Sequence, residues 1–127
     1  MYEVSVEQEF DAAHFLRGYE GKCEKLHGHR FRVVASVTAQ HTDDVGMAYD
    51  FTRLKKHLAG ILGRLDHTCL NEVPPFDGIN PSSENLATVI YQELEPMVKG
   101  TRVKVSKVQV WESPHTFVTY FPEEFPL

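Results

Sequence analysis

The chain has 127 residues, 42% of them hydrophobic, with 13 Lys and Arg against 18 Asp and Glu, and a pI of about 5.8. That length fits one domain, residues 1–127, and the acidic balance argues against a nucleic-acid binder, which usually shows a basic stripe. No apolar run reaches the length of a membrane span, and the start Met1-Tyr2-Glu3-Val4-Ser5 has no basic or apolar leader region, so the expectation is a cytoplasmic protein with Cys23 and Cys69 reduced.

Residues 2–10 alternate, with Tyr2, Val4, Val6 and Phe10 on one side and Glu3, Ser5, Glu7 and Glu9 on the other, the pattern of a half-buried strand. Residues 29–40 alternate again through Phe31, Val33, Ala35, Val37 and Ala39, and Thr42-Asp43-Asp44 with Gly46 marks a loop. From Asp50 to Leu65 the period becomes helical, with Phe51, Leu54, Leu58, Ile61, Leu62 and Leu65 as the apolar stripe and Asp50 or Thr52 as cap. After a proline- and glycine-rich loop over residues 71–81, a second helix is capped by Ser82 or Ser83 and buries Leu86, Val89, Ile90 and Leu94, with Pro96 and Gly100 limiting its end. Residues 102–112 read as a strand whose phase slips near Ser106-Lys107, the mark of a bulge. Ser113-Pro114 turns the chain into a last strand over residues 115–121. The order β-β-α-α-β-β predicts an α+β fold, a four-stranded antiparallel sheet with two helices on one face. Its open edges predict subunits joined edge to edge.

The chemistry concentrates in Cys23-Glu24-Lys25-Leu26-His27-Gly28-His29. Residues two apart in an extended chain point to one side, so His27 and His29 aim at one point, and Gly28 is read as keeping the space between them open. If the first two strands pair as a hairpin, His14, just past the first strand, lies near the same end. Three imidazoles and one vacant position form the pattern of a catalytic zinc. With Cys23 as a fourth ligand the same residues would make a structural zinc site. His41 and His57, and less firmly His115, read as solvated surface residues, and Cys69 as a buried structural cysteine.

Other candidates surround this motif. A dication and the neighbouring Lys22 and Lys25 favour a Cys23 thiolate. Lys22, Lys25, Arg30 and Arg32 form a basic cluster that would steer an anionic substrate. Asp66-His67 is either a carboxylate-imidazole pair or a helix C-terminal cap. Glu112 is either an exposed turn residue or the acceptor for a planar N–C–N edge such as that of a pterin or guanine ring.

Taken together, Phe10-x-Ala12-Ala13-His14, Cys23-x-x-x-His27-Gly28-His29, Tyr49-Asp50-Phe51, Leu65-Asp66-His67, Asn80-Pro81-Ser82-Ser83-Glu84-Asn85-Leu86-Ala87 and Trp111-Glu112-Ser113 resemble the 6-pyruvoyltetrahydropterin synthase family, most closely its bacterial 6-carboxy-5,6,7,8-tetrahydropterin synthase branch. The resemblance implies the tunnelling fold, assembled as trimers whose sheets close into a barrel and pair into a homohexamer. It implies a zinc-dependent lyase with ligands His14, His27 and His29. Cys23 would be the proton-abstracting thiolate, assisted by Asp66 and His67 of a different subunit. Glu112 would anchor the pterin with help from Ser82 and Ser83. The implied substrate is 7,8-dihydroneopterin triphosphate, converted to 6-carboxytetrahydropterin, acetaldehyde and triphosphate on the way to queuosine. Glu24 matches a related branch that cleaves dihydroneopterin to 6-hydroxymethyldihydropterin for folate synthesis, so a bifunctional enzyme is one alternative. The 6-pyruvoyl product is another, and a non-catalytic zinc or purine binder a third.

Overall fold

The computed structural model describes residues 1–18 and 25–123. The long strands β1 (Tyr2–His14) and β2 (His27–Ala39) pair antiparallel over their whole length, from Tyr2 opposite Ala39 to His14 opposite His27. Helix α1 (Phe51–Leu62) follows, then the two-residue strand β3 (Thr68–Cys69), a 3-10 turn at Leu70–Glu72, helix α2 (Ser83–Val98), and strands β4 (Lys104–Ser113) and β5 (Thr116–Tyr120). The sheet order is β3-β1-β2-β4-β5. The four longer strands are antiparallel neighbours, whereas β3 runs parallel to β1, with Thr68 and Cys69 opposite Ala12 and Ala13. The sheet is therefore mixed and five-stranded, not a purely antiparallel one of four. Two residues are too few to show a period, so β3 leaves no alternation to read.

One face of the sheet builds the core. Val6, Phe10, Phe31, Val33, Ala35, Val37, Val108 and Val110 pack there with Leu54, Leu58, Ile61 and Leu62 of α1 and Leu86, Ile90 and Leu94 of α2. Both helix starts are capped as read: Asp50 accepts from Thr52 N at 2.8 Å and Ser82 from Asn85 N at 3.1 Å. Helix α2 runs past Pro96 to Val98 and gives way before Gly100, whose φ is 80°. The bulge falls where the phase slips: Ser36 faces Lys107 and Val37 faces Val105, so Ser106 is the extra residue. Strand β1 continues four residues beyond its strongest alternation, carrying His14 inside the ladder instead of past its end.

Candidate metal centre

The core face of the sheet does not stop where the helices stop covering it. On β1 the inward series runs Val6, Phe10, Ala12 and His14, and on β2 it runs back from Val37 to Phe31, His29 and His27. The three histidines are thus the last inward positions of two paired strands, and period two alone brings them together. Their ring centroids lie 4.6, 5.3 and 4.7 Å apart, nearly edge to face. Phe31 stands beneath two of them, with its ring 5.4 Å from His14 and 5.6 Å from His29.

Glu112 completes the cluster. In β4, Trp111 faces Phe117 and Ser113 faces Thr116, so Glu112 is the extra residue of a second bulge, unpaired with β5, and its side chain reaches the histidines. Its Oε1 lies 3.0 Å from His14 Nε2 and 3.3 Å from His29 Nε2. The ligand atoms of His14, His27, His29 and Glu112 all fall within 4.8 Å of one another.

The tautomers decide what such a cluster needs. His14 Nδ1 donates to Pro81 C=O at 2.7 Å and His27 Nδ1 to Lys25 C=O at 2.6 Å, which leaves each Nε2 a bare lone pair. The Nε2 atoms of His14 and His29 are buried and make no well-directed hydrogen bond. A neutral His14 would set a lone pair against the carboxylate oxygen, so the centre calls for a positive charge, either a proton on nitrogen or a metal cation. Burial lowers the pKa of His29 against the pull of Glu112, so keeping that ring protonated is unfavourable. The close approach of His14 Nε2 holds Glu112 below the usual carboxylate range wherever that nitrogen carries positive charge, opposed by burial and helped by the charge of His29. Three imidazole nitrogens, those of His14 and His27 with their second nitrogens fixed, suit a divalent metal of the zinc kind, with the Glu112 carboxylate beside them.

A cleft of about 180 Å³ opens beside the cluster, lined by His14, Leu16, Ser82, Ser83, Glu112 and Phe117 among others. The structure therefore unites His14, His27, His29, Glu112, Ser82 and Ser83. Asp66 and His67 sit elsewhere, across the β1 edge beside Asp11, on the side away from the histidines. Asp66 Oδ1 accepts from Asp11 N at 2.9 Å, its Oδ2 lies 2.9 Å from His67 Nδ1, and His67 N donates to Asp11 C=O at 2.6 Å. Both readings of the pair hold: the carboxylate holds the imidazole, while the Asp66 backbone N–H donates to the carbonyl of Leu62, the last residue of α1, at 2.9 Å. The Asp11 N–H is the main cause of a lowered Asp66 pKa. His67 has φ of 58° and a side chain 79% exposed. Cys23, Glu24 and Lys22 lie outside the described residues.

Three readings change. Arg30 and Arg32 face the opposite side of β2 from His27 and His29 and are engaged there, Arg30 with Asp11 and Glu9 and Arg32 with Glu7 and the Trp111 ring, so they form no patch with the metal cluster. Among the described residues a Cβ at Gly28 would meet only Ala12 O, at an ordinary 3.8 Å, so they do not require a glycine to hold space between the histidines. His57 is half-buried, with Nε2 3.3 Å from the Tyr49 hydroxyl, while His41 and His115 are exposed as read. Cys69 is a free, half-buried cysteine. Sequence reasoning also missed the Phe31 floor and the Pro81 carbonyl. The alternation into His29 carried a signal for the first, and nothing in a residue type reports the second.

The profile of the family described as 6-pyruvoyl tetrahydropterin synthase matches residues 3–123. A 6-carboxy-5,6,7,8-tetrahydropterin synthase of Synechocystis sp. is 38% identical, over 100% of this chain and 99% of its own. A 6-pyruvoyl tetrahydrobiopterin synthase of Dictyostelium discoideum is 34% identical over 79% of this chain and 73% of its own. The solved structure of the Caenorhabditis elegans 6-pyruvoyl tetrahydropterin synthase superposes with a TM-score of 0.83 at 28% identity, covering 97% of this chain and 98% of that one. Since the match runs through every strand and helix that frames the histidines, the chain belongs to the 6-pyruvoyl tetrahydropterin synthase family.

Proposed function

We propose that this protein is a zinc-dependent 6-carboxy-5,6,7,8-tetrahydropterin synthase, a cytoplasmic lyase that converts 7,8-dihydroneopterin triphosphate and water to 6-carboxytetrahydropterin, acetaldehyde and triphosphate. The observation that carries the reading is the convergence of three imidazoles, two of them tautomer-fixed, on one point beside a small cleft. The similarity to the Synechocystis enzyme along the whole chain supports the choice of product.

His14, His27 and His29 hold the zinc, which supplies Lewis acidity toward the side-chain hydroxyls of the substrate. Glu112 then accepts two parallel hydrogen bonds from the N–C–N edge of the pterin, a pairing that fixes the ring's plane. Ser82 and Ser83 offer hydroxyls along the cleft wall. The Cys23 thiolate removes a proton from the side chain, and His67, held in one tautomer by Asp66, moves protons as the triphosphate leaves and the carbon-carbon bond breaks.

Cys23 and the Asp66-His67 pair are assigned to different subunits, which agrees with two features of the single chain. The exposed His67 ring stands across the β1 edge from the metal cluster. The cleft formed by the described residues is also smaller than the roughly 300–1,000 Å³ of common ligand pockets, which agrees with a neighbour's residues extending it. Edge-to-edge trimers, paired into a hexamer, would supply them and cover the open edge of β1.

The test is product analysis. Metal-analysed protein is incubated with dihydroneopterin triphosphate and, separately, with dihydroneopterin, and every product is identified by mass. Acetaldehyde with the carboxy product supports the proposal. The 6-pyruvoyl product without acetaldehyde would move the assignment to the activity named for the nematode and Dictyostelium relatives. Conversion of dihydroneopterin would add the folate-pathway activity through Glu24, and no conversion of either would favour a zinc or purine binder.

A further inference from the structure

Strand β1 loses its sheet partner after His14, the last residue paired with β2, yet the next turn of chain is still hydrogen-bonded. The side-chain amide of Asn71 accepts from Phe15 N and donates to Phe15 C=O, both at 3.0 Å. Two residues on, the amide of Asn80 accepts from Arg17 N and donates to Arg17 C=O, both at 2.9 Å. Residues two apart in an extended chain present their polar groups to one side, so the two amides stand in for a missing strand. The role suits asparagine because one planar group carries both an acceptor and a donor. Asn71 is 6% exposed. Arg17 closes the circuit by donating from its guanidinium to the carbonyls of Asn71 and Phe76, at 3.3 and 3.1 Å.

The same segment touches the metal centre. Asn85 Nδ2 donates to the Asn80 carbonyl at 2.8 Å, and the carbonyl of the next residue, Pro81, is the acceptor for His14 Nδ1. A backbone carbonyl has no side chain of its own to fix its place, so other groups must hold it. We propose that Asn80, supported by Asn71, is a positioning residue of the metal centre. By registering residues 80–81 against residues 15–17 it holds the Pro81 carbonyl where that carbonyl fixes the tautomer and ring direction of His14. The inference rests on the reading of the three histidines as metal ligands.

The perturbation is Asn80→Asp, which keeps shape and the acceptor for Arg17 N but sets a second acceptor against Arg17 C=O. Cobalt(II) is the probe, titrated against a competing chelator well below the melting temperature of every variant. Removing an outer partner of a ligand histidine lowers metal affinity by about tenfold or more, and that loss is the expected result. In the metal-free protein the His14 Nδ1–H proton resonance, protected by Pro81 in the parent, should broaden into exchange with water. Asn71→Asp should act in the same direction. Should Asn80→Asp fail to fold, Asn85→Ala removes only the single bond to the Asn80 carbonyl and should weaken cobalt severalfold. Arg64→Gln, which breaks the pair between Arg64, just past α1, and Glu93 of α2, serves as the control for general destabilisation and should leave cobalt affinity unchanged. Cobalt affinity within about twofold of the parent in Asn80→Asp, or in Asn85→Ala where it is needed, with the His14 resonance retained, would overturn the proposal. A parent protein that binds no cobalt would instead remove the metal-centre reading, and this inference with it.

Discussion

Phe31 joins the core to the metal centre, and replacing it tests whether the two are one packed unit. Its ring is 0% exposed, stacks on Phe10 at 4.9 Å with an interplanar angle of 13°, and meets the His14 and His29 rings at 5.4 and 5.6 Å. Phe31→Leu retains most of the apolar area but loses three ring contacts, each contributing roughly 0.5–1.5 kcal/mol beyond burial, so a loss of about 2 kcal/mol is expected. Phe31→Ala adds a cavity and should cost about 3–5 kcal/mol, a large share of the total stability of a domain this size. Urea unfolding of chelator-treated protein, at one fixed protein concentration because assembly contributes to stability, reads the difference. With an m-value of about 1.5 kcal/mol/M, Phe31→Leu lowers the midpoint by about 1.3 M without changing the slope. The same variant should weaken metal binding, because the His14 and His29 rings lose the surface that holds them upright. A midpoint within about 0.3 M of the parent, together with unchanged metal affinity, would refute the view that Phe31 supports the cluster.

Loss of one imidazole should reduce bound zinc well below one per chain: His27→Ala or His29→Ala, read by metal analysis after dialysis, should do so without unfolding the protein. Cys23→Ala should keep its zinc and lose turnover, and loss of zinc would show the sulfur to be a fourth ligand. The Asp66 carboxyl is held below the usual carboxylate range, chiefly by the Asp11 N–H. Its folded value lies below its unfolded one, so its contribution is complete above the ordinary carboxylate pKa and is lost as pH falls through the folded value. Asp66→Asn should therefore narrow the stability difference between neutral and acid solution, and an unchanged acid limb in urea titrations would contradict this. Arg64 pairs with both oxygens of Glu93 at 2.7 and 2.6 Å, but both side chains are partly exposed. Arg64→Gln should cost about 1 kcal/mol or less, and less still in high salt, by thermal melts at two ionic strengths.

Much of this architecture follows from periodicity. The inward series Phe31, Val33, Ala35, Val37 is buried as its alternation requires, and the stripes of both helices meet it. The convergence of His27 and His29 was legible for the same reason, since position in an alternating strand is a statement about direction. Parity also separates Arg30 and Arg32 from the metal cluster, since they are one step out of phase with the histidines and face Glu7, Glu9 and Asp11. What stayed hidden depends on distant backbone. Strand β3 exists because Thr68 and Cys69 meet Ala12 and Ala13. The Asp66-His67 pair is set by the peptide of Asp11, and His57 is half-buried beside a hydroxyl eight residues away. None of these partners is announced by the residue that uses it.

The two bulges of β4 explain how a glutamate reaches a cluster built from the other two strands. Val105 faces the core, and strict alternation from it would turn residues 107, 109 and 111 inward and send Glu112 to the outer face with Arg30 and Arg32. The extra residue Ser106 reverses the phase, so Val108 and Val110 are the buried positions and Trp111 faces out, stacked on Phe117 and under Arg32. Glu112 then inherits the inward phase, and its own bulge frees it from pairing with β5 at the point where the core gives way to the cleft. A hydrophobic side chain there would close the sheet end as more core. A carboxylate there keeps a charge beside three imidazoles, and the first bulge is the reason it is on their side of the sheet.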